Sequence, residues 1–413
     1  MKLLAIEVGQ FGDYYKARYQ QVEKLGVELY VLSGIADSDH WHSNRFFIAN
    51  SMNIGELTSL AKHLHQDLNF DGVFTFAENS VIATAMIANA LQLPSISVDA
   101  AVKSRNKIAM REAHEVGEAP HPEFRLTPTL IEAVAAAEQF GYPVILKPTL
   151  GSASQFVYKI NNKKELEDVF ETALTGISKM SQFTNEGITD LLGVNSLLVE
   201  SYLDGREFLI EAYSWDGTTV LGSIVDRVTL EGNSFDDDVH HAPTDLNIED
   251  LQRVHAAVHA GALAQGLTRS VMHAEIRFHQ GLPYIVEIAA RAGGGGLDFM
   301  ARISANYCPI KATINVAVGD KPEYLNYVPT GKDTFALCLT SSAGQIDAIH
   351  IPENVINDPE IFMLKIIAAK GDTIKRPPLG NDIIGFLGVM GDSRQETEDK
   401  AMRYSQQVVV TTR

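Results

Sequence analysis

The stretch that most limits what this chain can fold into is residues 270–298, SVMHAEIRFHQGLPYIVEIAARAGGGGLD. Two alternating segments flank a turn there and run into four consecutive glycines. Side chains on a strand alternate between faces, and residues equidistant from a hairpin turn face each other. A turn centred on Gly281 therefore predicts a hairpin with Glu275 opposite Glu287, and with His273, Arg277, Ala289 and Arg291 on the same face. Met272, Ala274, Ile276, Phe278, Tyr284, Val286 and Ile288 form the other, apolar face. Opposed carboxylates repel, so the pair is either solvated or held by a cation. The pattern alone fits an ordinary half-exposed sheet equally well. Arg291 and the glycine run tip the balance, because bare backbone N–H groups can approach an anion closely. A carboxylate pair, an arginine and such a loop suit phosphoryl chemistry, which needs charge neutralisation and positioning more than covalent help.

At 413 residues the chain exceeds one hydrophobic core of ordinary size, which predicts about two or three domains. Apolar content of 45% and charged content of 21% are those of a soluble globular protein. A net charge of −18 argues against nucleic acid or an anionic membrane as the main partner, while leaving room for a local basic pocket. Cys308 and Cys338 have neither metal-ligand spacing nor the density of a disulfide framework, so both are expected in the core of a protein kept reduced. The N-terminal apolar run is too brief for a signal peptide and no stretch is long enough to span a bilayer, so the expected location is cytoplasmic.

Apolar runs at 3–8, 27–32 and 72–76 alternate with helical patterns at 13–25, 54–68 and 80–91, which predicts an open parallel α/β unit. Gly9 and Gly12 make an incomplete dinucleotide fingerprint and read as turn geometry. Glu78, Asn79 and Ser80 follow a strand, either capping the next helix or facing a cleft. A helix carrying Lys103, Arg105, Lys107 and Arg111 is expected within 98–117, and another at 130–140. In GYPVILKPTLGSASQFVY, Lys147 ends an apolar strand before a small polar loop of Thr149, Gly151, Ser152, Ala153 and Ser154. This is not a Walker A order; it is a plain hairpin turn or an anion-binding loop. An unpaired ammonium in an apolar strand is costly, which favours a phosphate partner for Lys147. Residues 196–213 read as two strands around Asp204-Gly205, punctuated by Glu200, Glu207 and Glu211. The run DDDVHH at 236–241 reads as a solvated loop rather than a metal site. Helices are expected at 248–265 and 309–318, followed by a small α+β tail ending in a helix at 397–407.

In this order the features resemble the ATP-grasp carboxylate–amine ligases, most closely the bacterial L-amino-acid (dipeptide) ligase branch. The resemblance implies a mixed α/β and α+β architecture, the ATP-grasp fold. An N-terminal open parallel α/β domain would span 1–100, the nucleotide-binding and catalytic region 101–320, and a small biotin-carboxylase-like α+β domain 321–413. It implies that Lys107 reaches an ATP phosphate, that Lys147 bridges adenine and phosphate, and that the loop with Ser152 and Ser154 closes over the triphosphate. Glu200 with the backbone at Ser201 and Leu203 would sit at the adenine, and Glu207 would accept the ribose hydroxyls. Glu275 and Glu287 match the Mg2+ carboxylates, with Mn2+ as an alternative, and Arg291 matches the arginine at the transferring phosphoryl group. Gly293, Gly294, Gly295 and His240, preferred over His241, would meet the substrate carboxyl. Where the common pattern reads EINPR, this chain has Glu287-Ile288-Ala289-Ala290-Arg291, so a metal-completing asparagine is replaced by Ala289. The implied activity is ATP-dependent amide formation between small carboxylate and amine substrates through an acyl-phosphate, with a homodimer as the candidate assembly. Two rivals stand beside it: an ATP-grasp ligase acting on bicarbonate or a purine-like substrate, and a nucleotide-binding regulator without turnover, which Ala289 favours.

Overall fold

The computed structural model describes residues 1–8, 13–34, 42–49, 53–151, 155–178, 188–229, 238–375 and 383–413. At the N-terminus, strands β1 (Lys2–Glu7), β2 (Glu28–Ser33), β3 (Phe46–Ile48) and β4 (Gly72–Phe74) form a parallel sheet in the order β3-β2-β1-β4. Leu4, Ile6 and Leu32 pack on one face and Leu3, Ala5 and Val31 on the other, as strands covered by helices on both sides require. The short β3 has too little periodicity to stand out in sequence. Helix Ile54–Leu68 starts where the Asn53 side chain accepts from the Glu56 N–H and stops at Asn69 in the left-handed conformation.

The basic segment after this unit is two helices rather than one, Val98–Arg105 and Lys107–Val116. Asn106 between them is extended (φ −99°, ψ 114°), and its side chain accepts from the Ile108 and Ala109 N–H groups. That break puts Lys107 in the first turn of the second helix, its N–H bonded to the Thr149 carbonyl at 2.9 Å.

A four-stranded antiparallel sheet follows, ordered β5 (Phe124–Leu126), β8 (Leu197–Ser201), β6 (Val144–Pro148), β7 (Tyr158–Ile160). Its outer face buries Val144, Leu146, Leu197 and Val199 against Ala133, Ala136, Leu166 and Phe170 of helices Leu130–Phe140 and Lys163–Ser178. Strands β6 and β7 pair antiparallel, Val144 opposite Ile160 and Leu146 opposite Tyr158.

An eight-stranded sheet joins the centre of the chain to its C-terminal part. Its order is β13 (Leu282–Ala289), β12 (Ser270–His279), β9 (Glu207–Trp215), β10 (Thr218–Thr229), β11 (Asp238–Ala242), β14 (Asp333–Thr340), β18 (Ile383–Gly391), β16 (Ile361–Ile366). A smaller sheet, β17 (Thr373–Ile374), β15 (Gly344–His350), β19 (Val409–Thr412), completes the fold. Helix Ile248–Gln265 buries Val254, Ala257 and Val258 under Ile276, Ile285 and Ile288.

Four expectations change here. Strands β8 and β9 do not pair around Asp204-Gly205; they belong to different sheets, and the dipeptide carries the chain between them. The Gly205 N–H donates to the Phe278 carbonyl at 2.9 Å, and a Cβ there would sit 2.4 Å from that oxygen, so only glycine allows the approach. The hairpin turn is two residues, Gln280 and Gly281, both with positive φ (50° and 77°) as a type I′ turn demands. Glu275 still faces Glu287, because an irregularity between Glu275 and Ile276 shifts the register by one residue. Below that shift the faces exchange: Ile285 enters the core, Tyr284 pairs with Arg277, and Val286 turns to the cavity side. The last helix is Arg394–Ser405, starting earlier because the Ser393 side chain caps it at the Glu396 N–H. Cys308 and Cys338 are half-buried rather than core residues, and the Cys308 sulfur caps helix Pro309–Val318. Among the described residues no helix is long and apolar enough to cross a membrane.

Candidate active site

The four-stranded sheet and the β9–β13 end of the eight-stranded sheet enclose a cavity of about 330 Å³. Lys147, Glu200, Ser201 and Leu203 line it from one sheet, and Glu207, His240, Glu275 and Glu287 from the other. Lys107, Arg291, Gly294 and Gly295 close one end. Residues predicted from segments far apart in sequence thus share one space. Ser152, Ser154, Gly9, Gly12, Asp236 and Asp237 lie outside the described residues.

At the end next to Ser201 and Leu203, Lys147, for which its apolar strand favours a phosphate partner, already has a carboxylate one. Its Nζ meets Glu200 Oε2 at 2.6 Å, while Arg111 Nε binds Glu200 Oε1 at 2.8 Å, all three side chains being buried. Burial pushes the Glu200 carboxyl up, but Arg111 and Lys147 outweigh it and hold the group below its usual range. Burial likewise pushes the Lys147 ammonium down against the pull of Glu200. Arg111 also donates to the Val286 carbonyl at 2.7 Å, tying this end to the hairpin. Glu207 pairs with Arg227 at 2.7 Å and with Arg277 at 3.7 Å. Arg277 and Lys159 lie over the Tyr202 ring, 5.3 and 4.3 Å from its centre.

At the other end, Glu287 meets Lys107 at 3.1 Å, and Lys107 also donates to the Gly151 carbonyl at 3.3 Å. Burial opposes the charge on Glu275, yet His273, Arg227 and Lys107 bring its pKa down to about 2. His273 binds Glu211 at 2.8 Å through Nδ1 and faces Glu275 at 3.8 Å through Nε2. Burial disfavours its charge, but the two carboxylates raise its pKa to about 9. Ala289 is the cross-strand partner of His273 and is buried, so the small side chain leaves this width of the hairpin to the imidazole. Among the described residues no three His, Cys, Asp or Glu side chains are gathered to hold a metal. The donor set offered is therefore two opposed carboxylates beside a cavity, which fits a hard divalent cation that keeps waters and takes its remaining ligands from phosphate.

Glu78, left open between cap and cleft by its sequence, faces the cavity at the C-terminal edge of the parallel sheet. It pairs with Arg105 at 2.6 Å and also with Arg291. Burial raises its pKa, but Arg291 and Arg105 prevail and lower it to about 2. Alternation on β11 separates the two histidines. His240 lines the cavity, with a pKa lowered to about 3 by burial, Arg227 and His273. His241 points away and meets Asp333 at 2.9 Å. Gly293, expected at the substrate carboxyl, does not line the cavity, and its N–H donates to Glu211 at 3.0 and 3.1 Å. Glu211 and Arg227 had no distinguishing pattern in sequence, since single charges on strands are ordinarily solvent-facing.

Residues 140–298 match the ATP-grasp domain family, 19–95 the ATP-grasp N-terminal domain, and 337–413 the L-amino acid ligase C-terminal domain 2. With the two-sheet cleft, these matches define an ATP-grasp protein. More particularly, its C-terminal domain is of the L-amino acid ligase kind. A crystal structure of an L-amino acid ligase from Bacillus licheniformis has a TM-score of 0.84 at 22% identity, covering 100% of this chain and 98% of that one. Phosphoribosylglycinamide synthetase from Anaerococcus prevotii has a TM-score of 0.69 at 19% identity, covering 100% and 99%. In sequence, an L-arginine-specific L-amino acid ligase of Bacillus subtilis is 24% identical over 293 residues, 68% of this chain. The match spans 66% of that relative's own length.

Proposed function

We propose that the protein joins the carboxylate of one small amino-acid-like substrate to the amine of another, using ATP and Mg2+. The single observation that carries this reading is the opposed Glu275–Glu287 pair sharing one cavity with Lys107 and Arg291. A carboxylate is a poor electrophile, and phosphorylation supplies a leaving group. The carboxylate oxygen attacks the γ-phosphorus and ADP departs; the amine nitrogen then attacks the carbonyl carbon, and phosphate and a proton leave. When bound to Glu275 and Glu287, the divalent ion would neutralise phosphate charge. Lys107 and Arg291 add fixed positive charge on the same wall, which costs no reorganisation as the phosphoryl group moves. Lys147, Glu200, Ser201 and Leu203 would hold the nucleotide base, and Glu207 the ribose. Gly294 and Gly295 would present backbone to the substrate carboxyl. His240 is neutral at physiological pH and offers it a hydrogen bond rather than a charge.

The test is a pairwise screen of amino acids for ADP formation from ATP and Mg2+, with mass detection of the amide. ADP release stimulated by a particular pair, with the condensed mass present, is the expected outcome. Failure of every pair to stimulate ADP formation overturns this reading in favour of nucleotide binding without turnover, the alternative that Ala289 supports.

A further inference from the structure

A run of four glycines carries more conformational freedom than any other tetrapeptide, and freezing it into a wall requires bonds from residues outside the run. The Gly293 peptide is held at both ends. Its N–H lies 3.1 and 3.0 Å from the two Glu211 oxygens, and its carbonyl accepts from Arg18 Nη2 at 2.8 Å. No other residue fits: a Cβ at Gly293 would lie 2.3 Å from Glu211 Oε1 and 2.7 Å from His273 Nδ1. The two holders come from different parts of the fold. Glu211 sits on β9 of the central sheet, balanced by His273 at 2.8 Å. Arg18 sits on helix Asp13–Lys24 of the N-terminal unit, 3% exposed, its guanidinium 4.6 Å from the Phe76 ring centre. Gly293 itself is behind the cavity wall, whereas Gly294 and Gly295 line it.

We infer that Arg18 and Glu211 are positioning residues that act through the Gly293 peptide to fix Gly294 and Gly295 at the acyl end of the cavity. The bonds make the glycine wall a shared part of the N-terminal unit and the central sheet. The link to substrate rests on the ligase reading; the clamp itself does not.

The test uses the full chain carrying Arg18→Met, Arg18→Lys or Glu211→Gln. Hydrogen exchange across 290–297 reads the clamp without turnover: Arg18→Met and Glu211→Gln each speed it by about tenfold or more, while β6 keeps its protection. Calorimetry with Mg2+ and a non-hydrolysable ATP analogue gives a Kd within about twofold of the parent. With whichever amino-acid pair supports ADP formation, KM for the carboxylate donor rises about tenfold while KM for ATP holds. Arg18→Lys keeps a donor near the Gly293 carbonyl and recovers most of both effects. Unchanged exchange across 290–297 in a folded Arg18→Met protein overturns the inference, as does a KM for ATP that rises in step. If Arg18→Met does not fold, Glu211→Gln, which keeps its shape and one accepting oxygen, decides the point. If no amino-acid pair supports turnover, the ligase reading fails, and the exchange result still decides the clamp.

Discussion

Two side chains carry the sharpest consequences. Glu287 pairs with Lys107 at 3.1 Å and faces Glu275 across the hairpin, so Glu287→Gln keeps its volume and its strand but removes the charge a divalent ion would need. Turnover should fall by about 100-fold or more, with the melting temperature within about 2 °C of the parent; near-normal ADP formation would sink the metal assignment. His273 gives a pH dependence. Its folded pKa is raised from 6.5 to about 9, so its contribution to stability is complete below pH 6.5 and disappears as pH rises through about 9. Urea unfolding of the parent and His273→Gln should therefore differ by roughly 3 kcal/mol near pH 6 and converge above about pH 9.5. A difference that stays constant over this range refutes the ion-pair account.

Glycines that look alike in sequence act differently once the elements pack. Gly205 brings the β8–β9 crossing against β12, where an added Cβ would sit 2.4 Å from the Phe278 carbonyl oxygen, a backbone atom that cannot swing aside. Gly281 at the hairpin turn has positive φ but open space around it. Gly205→Ala should cost about 2–3 kcal/mol by steric displacement and Gly281→Ala about 1 kcal/mol by backbone strain. Denaturant midpoints check the order; equal losses would mean the sheets separate without penalty. The hairpin also marks the limit of pattern reading. Alternation about a turn centred on Gly281 places Glu275 opposite Glu287, but the turn is Gln280-Gly281, and a one-residue shift both keeps that pair opposed and moves Ile285 into the core in place of Tyr284 and Val286. Alternation carries no record of where a strand accommodates an extra residue.

Across the molecule, the eight-stranded sheet passes from β11 to β14 without a break, so central and C-terminal parts share hydrogen bonds as well as cores. Buried Asp226 strengthens the junction: it accepts from Arg206 at 3.0 Å, Thr244 at 2.6 Å and Arg394 of the C-terminal helix at 3.2 Å. Arg394→Met strips one cation from a buried carboxylate that keeps another, an expected loss of about 1–2 kcal/mol. Hydrogen exchange should show the extra opening in β14 and β18 while the N-terminal sheet is unaffected. Unchanged protection there would place the coupling in the strand pairing alone.

Local interactions are what the sequence by itself determined. Strand and helix alternation in the first hundred residues depends on neighbours within a few residues, whereas the opposed pair Glu275 and Glu287 also needs the one-residue register shift that a hairpin's symmetry does not contain. The charge pairing was decided by tertiary structure. Lys147 acquires Glu200 from a neighbouring strand, Arg291 reaches Glu78 across 213 residues, and Arg18 reaches Gly293 across 275. An ion pair stabilises whichever charge the fold delivers to it, and nothing local to either partner distinguishes a residue bound for a solvated strand face from one bound for this cavity.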